Sequence, residues 1–230
     1  MTDSEPKNVV LAMTGASGAI FAVRLLDVLV AAGCRVQLTI SPSARVVLKQ
    51  ELDVAIDLDR FNVESLLGEG ERGEGLAMTQ VRRLLGPRFA AGRQTRTATK
   101  QVVYHHHQNL LASIASGSSR TDGMVICPCS GGTLSALATA ASSNLIHRAA
   151  EVHLKERRKL VLVPRETPLS MIQLDNMRRV TEAGAVVLPA MPGWYHGVES
   201  IGDLVDFVVA RICDQLGVDN ALVRRWGEPS

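Results

Sequence analysis

The sequence predicts an α/β domain. Short apolar runs of strand length alternate with helical patterns along the 230 residues, a strand, a glycine turn and a helix follow one another near the start, and that arrangement returns from Gly123. Alternation of this kind predicts a largely parallel sheet between helices. A chain of this length forms one domain with a sizeable core, so residues 1–230 are read as a single unit.

The run Val9-Val10-Leu11-Ala12-Met13 is short, continuous and apolar, as a parallel strand buried on both faces requires. Thr14-Gly15-Ala16-Ser17-Gly18-Ala19 follows it. Gly15 and Gly18 allow close backbone approach and positive φ, and Ile20, Val23, Leu26, Leu29 and Val30 then recur at helical spacing. Amides at that helix start, with the Ser17 hydroxyl, predict an anion site. The turn is neither a full GxGxxG nor a loop ending in Gly-Lys-Ser/Thr, so a plain tight connection is the competing reading.

Gly33 closes the helix, and Arg35 to Ile40 alternates as a second strand ending at Ser41-Pro42. Ser41 stands at a strand's carboxyl end, where ligands bind in open α/β sheets; it is equally suited to cap the next helix, Ser43 to Gln50. Glu51 closes that helix and reads, from the residues alone, as a solvated acid.

From Arg60 to about Gln108 periodicity decays, most clearly in Gly68-Glu69-Gly70-Glu71-Arg72-Gly73-Glu74-Gly75, and a flexible loop is expected within 64–108. His105, His106 and His107 are adjacent, so strand geometry would point them to opposite faces; a surface tract is expected and not a metal site.

A third buried strand, Gly123 to Pro128, leads into Cys129-Ser130-Gly131-Gly132-Thr133 and a helix over Leu134 to Ala141. Ser130 and Thr133 again place hydroxyls beside helix-start amides. Two such turns flanking one crevice suit a ligand with a phosphate and a polar ring.

The cations of Lys155-Glu156-Arg157-Arg158-Lys159 end the following helix, where the dipole favours them. The fourth strand, Leu160 to Val163, runs into Pro164-Arg165-Glu166-Thr167-Pro168, a stiff loop able to fix a cation and a carboxylate. A helix from Ser170 to Ala183, a strand from Gly184 to Pro189 and the exit loop Met191 to His196 place Tyr195 on the ligand edge. In the last long helix Ile201, Leu204, Val205, Val208, Val209 and Ile212 form a core face, with Arg211 beside it, either at the surface or turned inward to a phosphate. The tail 217–230 carries Trp226, a large aromatic expected to pack on a neighbouring subunit.

A net charge of +2 and 3% aromatic residues supply neither the field nor the stacking platform that nucleic-acid binding needs. No apolar run is long enough to span a membrane, and the polar start lacks a signal-peptide layout, so a cytoplasmic protein is expected. Cys34, Cys127, Cys129 and Cys213 lie mostly in apolar segments and read as buried thiols, not as a zinc or redox motif.

The chain resembles the UbiX-type flavin prenyltransferases, formerly described as aromatic-acid decarboxylases. The resemblance rests on Met13-Thr14-Gly15-Ala16-Ser17-Gly18-Ala19, Ile126-Cys127-Pro128-Cys129-Ser130, Asn144-Leu145-Ile146 with Arg148-Ala149, Leu154-Lys155-Glu156-Arg157-Arg158 and Leu162-Val163-Pro164-Arg165-Glu166. Leu204 to Arg211 and the terminal Arg225-Trp226-Gly227-Glu228 match as well, whereas Glu64 to about Ile114 aligns poorly and is longer than usual. The resemblance implies a Rossmann-like, flavoprotein-type three-layer αβα sandwich with a mostly parallel sheet. It implies transfer of a dimethylallyl group from dimethylallyl phosphate to N5 and C6 of reduced FMN, without a metal. The product, prenylated FMN, would serve a UbiD-type decarboxylase, and the enzyme would be a homo-oligomer, a dodecamer.

Residue by residue, the resemblance implies that Gly15, Ala16, Ser17, Ser41, Ser130, Gly131, Gly132, Thr133 and Arg165 hold FMN. It places Arg148, Lys155, Arg165, Glu166, Tyr195 and Arg211 around the prenyl phosphate, some from neighbouring subunits, and gives Ser17, Glu51, Lys155 and Glu166 catalytic parts. An FMN-dependent cysteine decarboxylase of the same fold would carry Pro-x-Met-Asn and a histidine in the helix after the second strand. Here Pro189-Ala190-Met191-Pro192-Gly193 stands in that loop, and Ser43 to Glu51 has no histidine. A flavin-carrying subunit without activity would not need the cations and Glu166.

Overall fold

The computed structural model describes residues 5–67, 76–86, 100–225 and 227. Six parallel strands form its sheet: β1 (Asn8–Met13), β2 (Arg35–Ile40), β3 (Val102–Tyr104), β4 (Gly123–Cys129), β5 (Leu160–Pro164) and β6 (Val186–Val187), in the spatial order β3-β2-β1-β4-β5-β6. The chain steps outward from β1 through β2 to β3, then restarts on the other side of β1 with β4. The strand order therefore reverses between β1 and β4, and their carboxyl ends flank the crevice that such a reversal creates.

Alternation along β1 divides the core. Val9, Leu11 and Met13 face one layer, built from α1 (Ala19–Ala31), α2 (Pro42–Leu52), α3 (Glu64–Leu67), α4 (Leu76–Leu85) and α8 (Ile201–Leu216). Val10 and Ala12 face the other, built from a 3₁₀ turn (Ser113–Ala115), α5 (Gly131–Ala138), α6 (Leu145–Lys155) and α7 (Met171–Glu182). This is the expected three-layer αβα sandwich. Within the first layer, buried Arg24 of α1 donates to Asp206 of α8 at 2.7 Å and to Asp27 at 2.6 Å, fastening the two helices together.

Three elements fall inside the stretch where a loop was expected. The helices α3 and α4 bury Leu66, Leu67, Val81 and Leu85, and β3 adds an edge strand beside β2. Val102 to Tyr104 is too short to display a period; its strand conformation is fixed by the β2 ladder and by Tyr104, which stacks on Phe61 with ring centroids 4.4 Å apart. Burial pushes the Tyr104 hydroxyl up to about 12 while it donates to the Leu58 carbonyl. Gly68 to Gly75 lies outside the described residues, as does Trp226.

Helix boundaries shift by one turn or less from expectation. Helix α2 runs on through Glu51 to Leu52, and α5 begins at Gly131, directly after its cap Ser130. The three adjacent histidines are half-buried, correcting the surface reading: His105 pairs with Gln37 at 2.7 Å, His106 approaches Asp59 at 3.6 Å, and the His107 ring lies 4.3 Å from that of His106. All four cysteines are buried thiols, and burial pushes Cys129 up to about 12.

Candidate active site at the carboxyl edge

Thr14 joins the two glycine turns. Its hydroxyl donates to the Pro128 carbonyl at 2.8 Å and accepts from the Ser130 amide at 2.8 Å, so the ends of β1 and β4 are locked together. The Ser41 amide donates to the Met13 carbonyl at 3.0 Å, bringing the β2 exit to the same edge. Thr14 has no assigned role in the sequence reading, although a hydroxyl ahead of a glycine turn is a visible signal.

Gly15 sits where α2 presses on the first turn: a Cβ there would stand 2.3 Å from the Ser43 Cβ. No side chain fits, which gives this glycine a packing reason. Gly18 has φ 108° and lacks a side chain with which to cap α1. Glu51 does so instead. Its carboxylate accepts from the Gly18 amide at 2.9 Å and from the Ala19 amide at 2.9 Å. The anion at this helix start is thus supplied by the chain, and Glu51 is not the solvated acid that its sequence setting suggests.

Ser41 caps α2 by accepting from Ala44 at 3.1 Å, and Ser130 caps α5 by accepting from Thr133 at 3.3 Å while donating to the Thr133 hydroxyl at 3.1 Å. Both serines are half-buried, with the small residues of the turns beside them. A Cβ on Gly132 would meet nothing within 4 Å, so the space over the second turn is open. From β5, Arg165 reaches across to donate to the Ser17 carbonyl at 3.4 Å. Glu166 follows and lines a small cleft of about 60 Å³ together with Leu169, Met177 and Pro189.

The remaining cations stand elsewhere in the single chain. Lys155, at the end of α6, pairs with Glu156 beside Gly117, and Arg158 of the same segment donates to the Gly117 and Ser119 carbonyls. That loop lies at the amino edge, because Asp122 donates from its amide to Asn8 at the start of β1. A strand length, about 20 Å, separates it from Ser17. Arg148 of α6 donates to the Ala115 carbonyl at 3.2 Å. Arg211 is exposed on α8, in the opposite layer, and pairs with Asp214 at 3.0 Å; the inward reading is not realised within one chain. Tyr195 is 60% exposed, its ring edge against His196 and Phe207. Among the described residues no group of three or more His, Cys, Asp or Glu is arranged to hold a metal, and no helix is long and apolar enough to cross a membrane.

The Flavoprotein family model matches residues 1–213. Flavin prenyltransferase UbiX of Pseudomonas aeruginosa is 46% identical over 225 residues, which cover 98% of this chain and 96% of that relative. The chain belongs to the UbiX-type flavin prenyltransferases. A second relative of that name, from Methanothermobacter thermautotrophicus, is 41% identical, with 96% of this chain and 95% of the relative covered. The crystal structure of AnUbiX in complex with FMN and dimethylallyl pyrophosphate superposes with TM-score 0.74 at 34% identity, covering 98% of this chain and 100% of that one. A dodecameric FMN-dependent UbiX-like decarboxylase from Escherichia coli superposes with TM-score 0.72 at 33% identity, covering 96% and 100%. The cypemycin decarboxylase, at 13% identity and TM-score 0.54, shares the fold alone.

For a UbiX-type chain, the edge assembled here gathers Gly15, Ala16, Ser17, Ser41, Glu51, Ser130, Gly131, Gly132, Thr133, Arg165 and Glu166, and leaves Arg148, Lys155 and Arg211 on other elements. Gln173 also belongs to the edge and has no part in the sequence reading. The signal available for it was Ser170-x-x-Gln173, a capping box at the start of α7.

Proposed function

We propose that this chain transfers a dimethylallyl group from dimethylallyl phosphate to N5 and C6 of reduced FMN, yielding prenylated FMN for a UbiD-type decarboxylase. The convergence of Ser17, Glu51, Ser130, Arg165 and Glu166 at one sheet edge carries this reading, in a chain whose full-length relatives bear the flavin prenyltransferase name. The edge suits FMN: Ser17 and Ser130 are half-buried at two turns stitched through Thr14, the space over Gly132 is open, and Arg165 adds a cation. In this reading Gly15, Ala16, Ser17, Ser41, Ser130, Gly131, Gly132, Thr133 and Arg165 hold FMN.

Reduced FMN supplies the electron-rich ring atoms. When the allylic C–O bond of the donor breaks, its electron pair leaves with the phosphate, and fixed cations are needed where that charge develops. Arg165 stands at this edge; Lys155, at the amino edge, and Arg211, exposed on α8, do not, so a neighbouring copy supplies at least these two. The enzyme therefore works as a homo-oligomer, a dodecamer in this reading, in the cytoplasm. Holding both reactants in one crevice makes the attack effectively intramolecular. Glu166 relays a proton at the departing phosphate, Tyr195 and Ser17 complete its hydrogen bonding, and Glu51 handles protons beside the ring. With Glu166→Gln or Lys155→Ala, FMN should still bind while anaerobic prenylation falls sharply; unchanged turnover in either would remove that residue from the mechanism.

A further inference from the structure

We infer that Gln173 is a positioning residue that holds the Glu166 carboxylate in its working orientation. The inference rests on the catalytic reading of Glu166 given above.

Glu166 is exposed and lies two residues beyond the end of β5, where an unrestrained glutamate keeps its full rotamer freedom. Both of its oxygens are nevertheless held. The Thr167 amide donates to Oε1 at 3.3 Å, and Gln173 Nε2 donates to Oε2 at 3.2 Å. The first bond comes from the next residue in the chain and fixes little by itself. The second comes from another element and fixes the direction in which the side chain leaves the loop.

Gln173 has no freedom to present its amide the other way. Its Oε1 accepts from the Ser170 amide at 2.9 Å, while the Ser170 hydroxyl accepts from the Gln173 amide at 3.3 Å, the two halves of the α7 capping box. With the carbonyl oxygen committed to the cap, only the NH₂ end faces Glu166, and a carboxylate is the acceptor it suits. The same Nε2 lies 3.4 Å from where a Cβ on Gly131 would stand. Gln173 therefore lies against the first turn of α5 as well. One amide joins the start of α7, the second glycine turn and Glu166, so the carboxylate is referenced to the turn assigned to FMN. Capping alone would not require this reach, because a capping box needs only the Ser170 exchange.

The test uses the full-length protein with reduced FMN and dimethylallyl phosphate under anaerobic conditions. Gln173→Glu keeps an acceptor for the Ser170 amide but loses the donor to Glu166. Gln173→Met loses both, and Ser170→Ala breaks the cap while keeping the Gln173 to Glu166 bond. Both Gln173 variants should lose about 10- to 100-fold in kcat with the KM for FMN within about twofold of the parent, the signature of a misaligned group and not of weakened binding. Ser170→Ala should lower the unfolding temperature and leave kcat in place. Parent-like kcat in Gln173→Glu, or a kcat loss in Ser170→Ala matching that of Gln173→Met, would overturn the inference. Glu166→Gln separates the two levels. If it is inactive while both Gln173 variants turn over normally, only the positioning role fails; if it turns over normally, the catalytic reading of Glu166 falls and takes this inference with it.

Discussion

The Glu51 carboxylate, near the end of α2, sits on the amino end of α1, 2.9 Å from the Gly18 amide and 2.9 Å from the Ala19 amide. A glycine at the cap position supplies no side chain, so a residue 33 positions away satisfies two helix-start donors with a full negative charge. A carboxylate at that end of a helix gains from both hydrogen bonding and the dipole.

Glu51→Ala should therefore lower the stability of the fold by about 1–2 kcal/mol, with Glu51→Gln, which keeps an acceptor but not the charge, losing about half as much. Urea unfolding monitored by circular dichroism measures both. Equal stability of Glu51→Ala and the parent would show that water caps α1 just as well.

Gly15→Ala places a Cβ 2.3 Å from the Ser43 Cβ, a separation that requires backbone movement. The variant should lose about 1–3 kcal/mol and bind FMN more weakly, because the first turn is forced away from α2. Adding Ser43→Gly removes the obstacle, so the double variant should recover most of both losses. FMN titration and thermal unfolding of the four proteins form the cycle.

These two contacts show how far the sequence reaches. The strands β1, β2, β4 and β5, and the glycine turns after β1 and β4, were legible because continuous apolar runs and small residues declare themselves locally. The edge strand β3 was not, since three residues have no period and their conformation comes from pairing with β2. Glu51 and Gln173 were unreadable as site residues from the residues alone for the same physical reason. Each acts on a partner in another element, and neither contact leaves a mark in local spacing. The division of Lys155 and Glu166 between opposite edges of the sheet was equally hidden, because the sequence orders residues along the chain and not across the fold.

That division predicts sharing of sites between copies. Lys155→Ala and Glu166→Gln homo-oligomers should each lose most of their prenylation, and mixed oligomers formed by co-expression should regain part of it in sites that draw an intact residue from each chain. Absence of any recovery in verified mixed oligomers would place both residues in one chain's site.

Stability should fall on the acid side. His153 is buried, its Nδ1 donating to the Ala149 carbonyl and its Nε2 accepting from the Thr121 hydroxyl, and burial lowers its pKa below the ordinary 6.5. His105 and His147 are lowered by burial as well. Above the unfolded pKa neither state is protonated, and these groups contribute nothing to the pH dependence. Below it the unfolded chain takes up protons that the folded chain refuses, so each such histidine removes up to about 1.4 kcal/mol per pH unit. Unfolding midpoints measured between pH 5 and pH 8 should decline below about 6.5, and His153→Gln should flatten that decline. A steeper decline in the variant would contradict the assignment.

Prenyl transfer is tested most directly by mass spectrometry of the flavin released after anaerobic incubation of the purified protein with reduced FMN and dimethylallyl phosphate. The released flavin should be FMN heavier by one five-carbon prenyl unit. Tightly bound but unmodified FMN would contradict prenyl transfer.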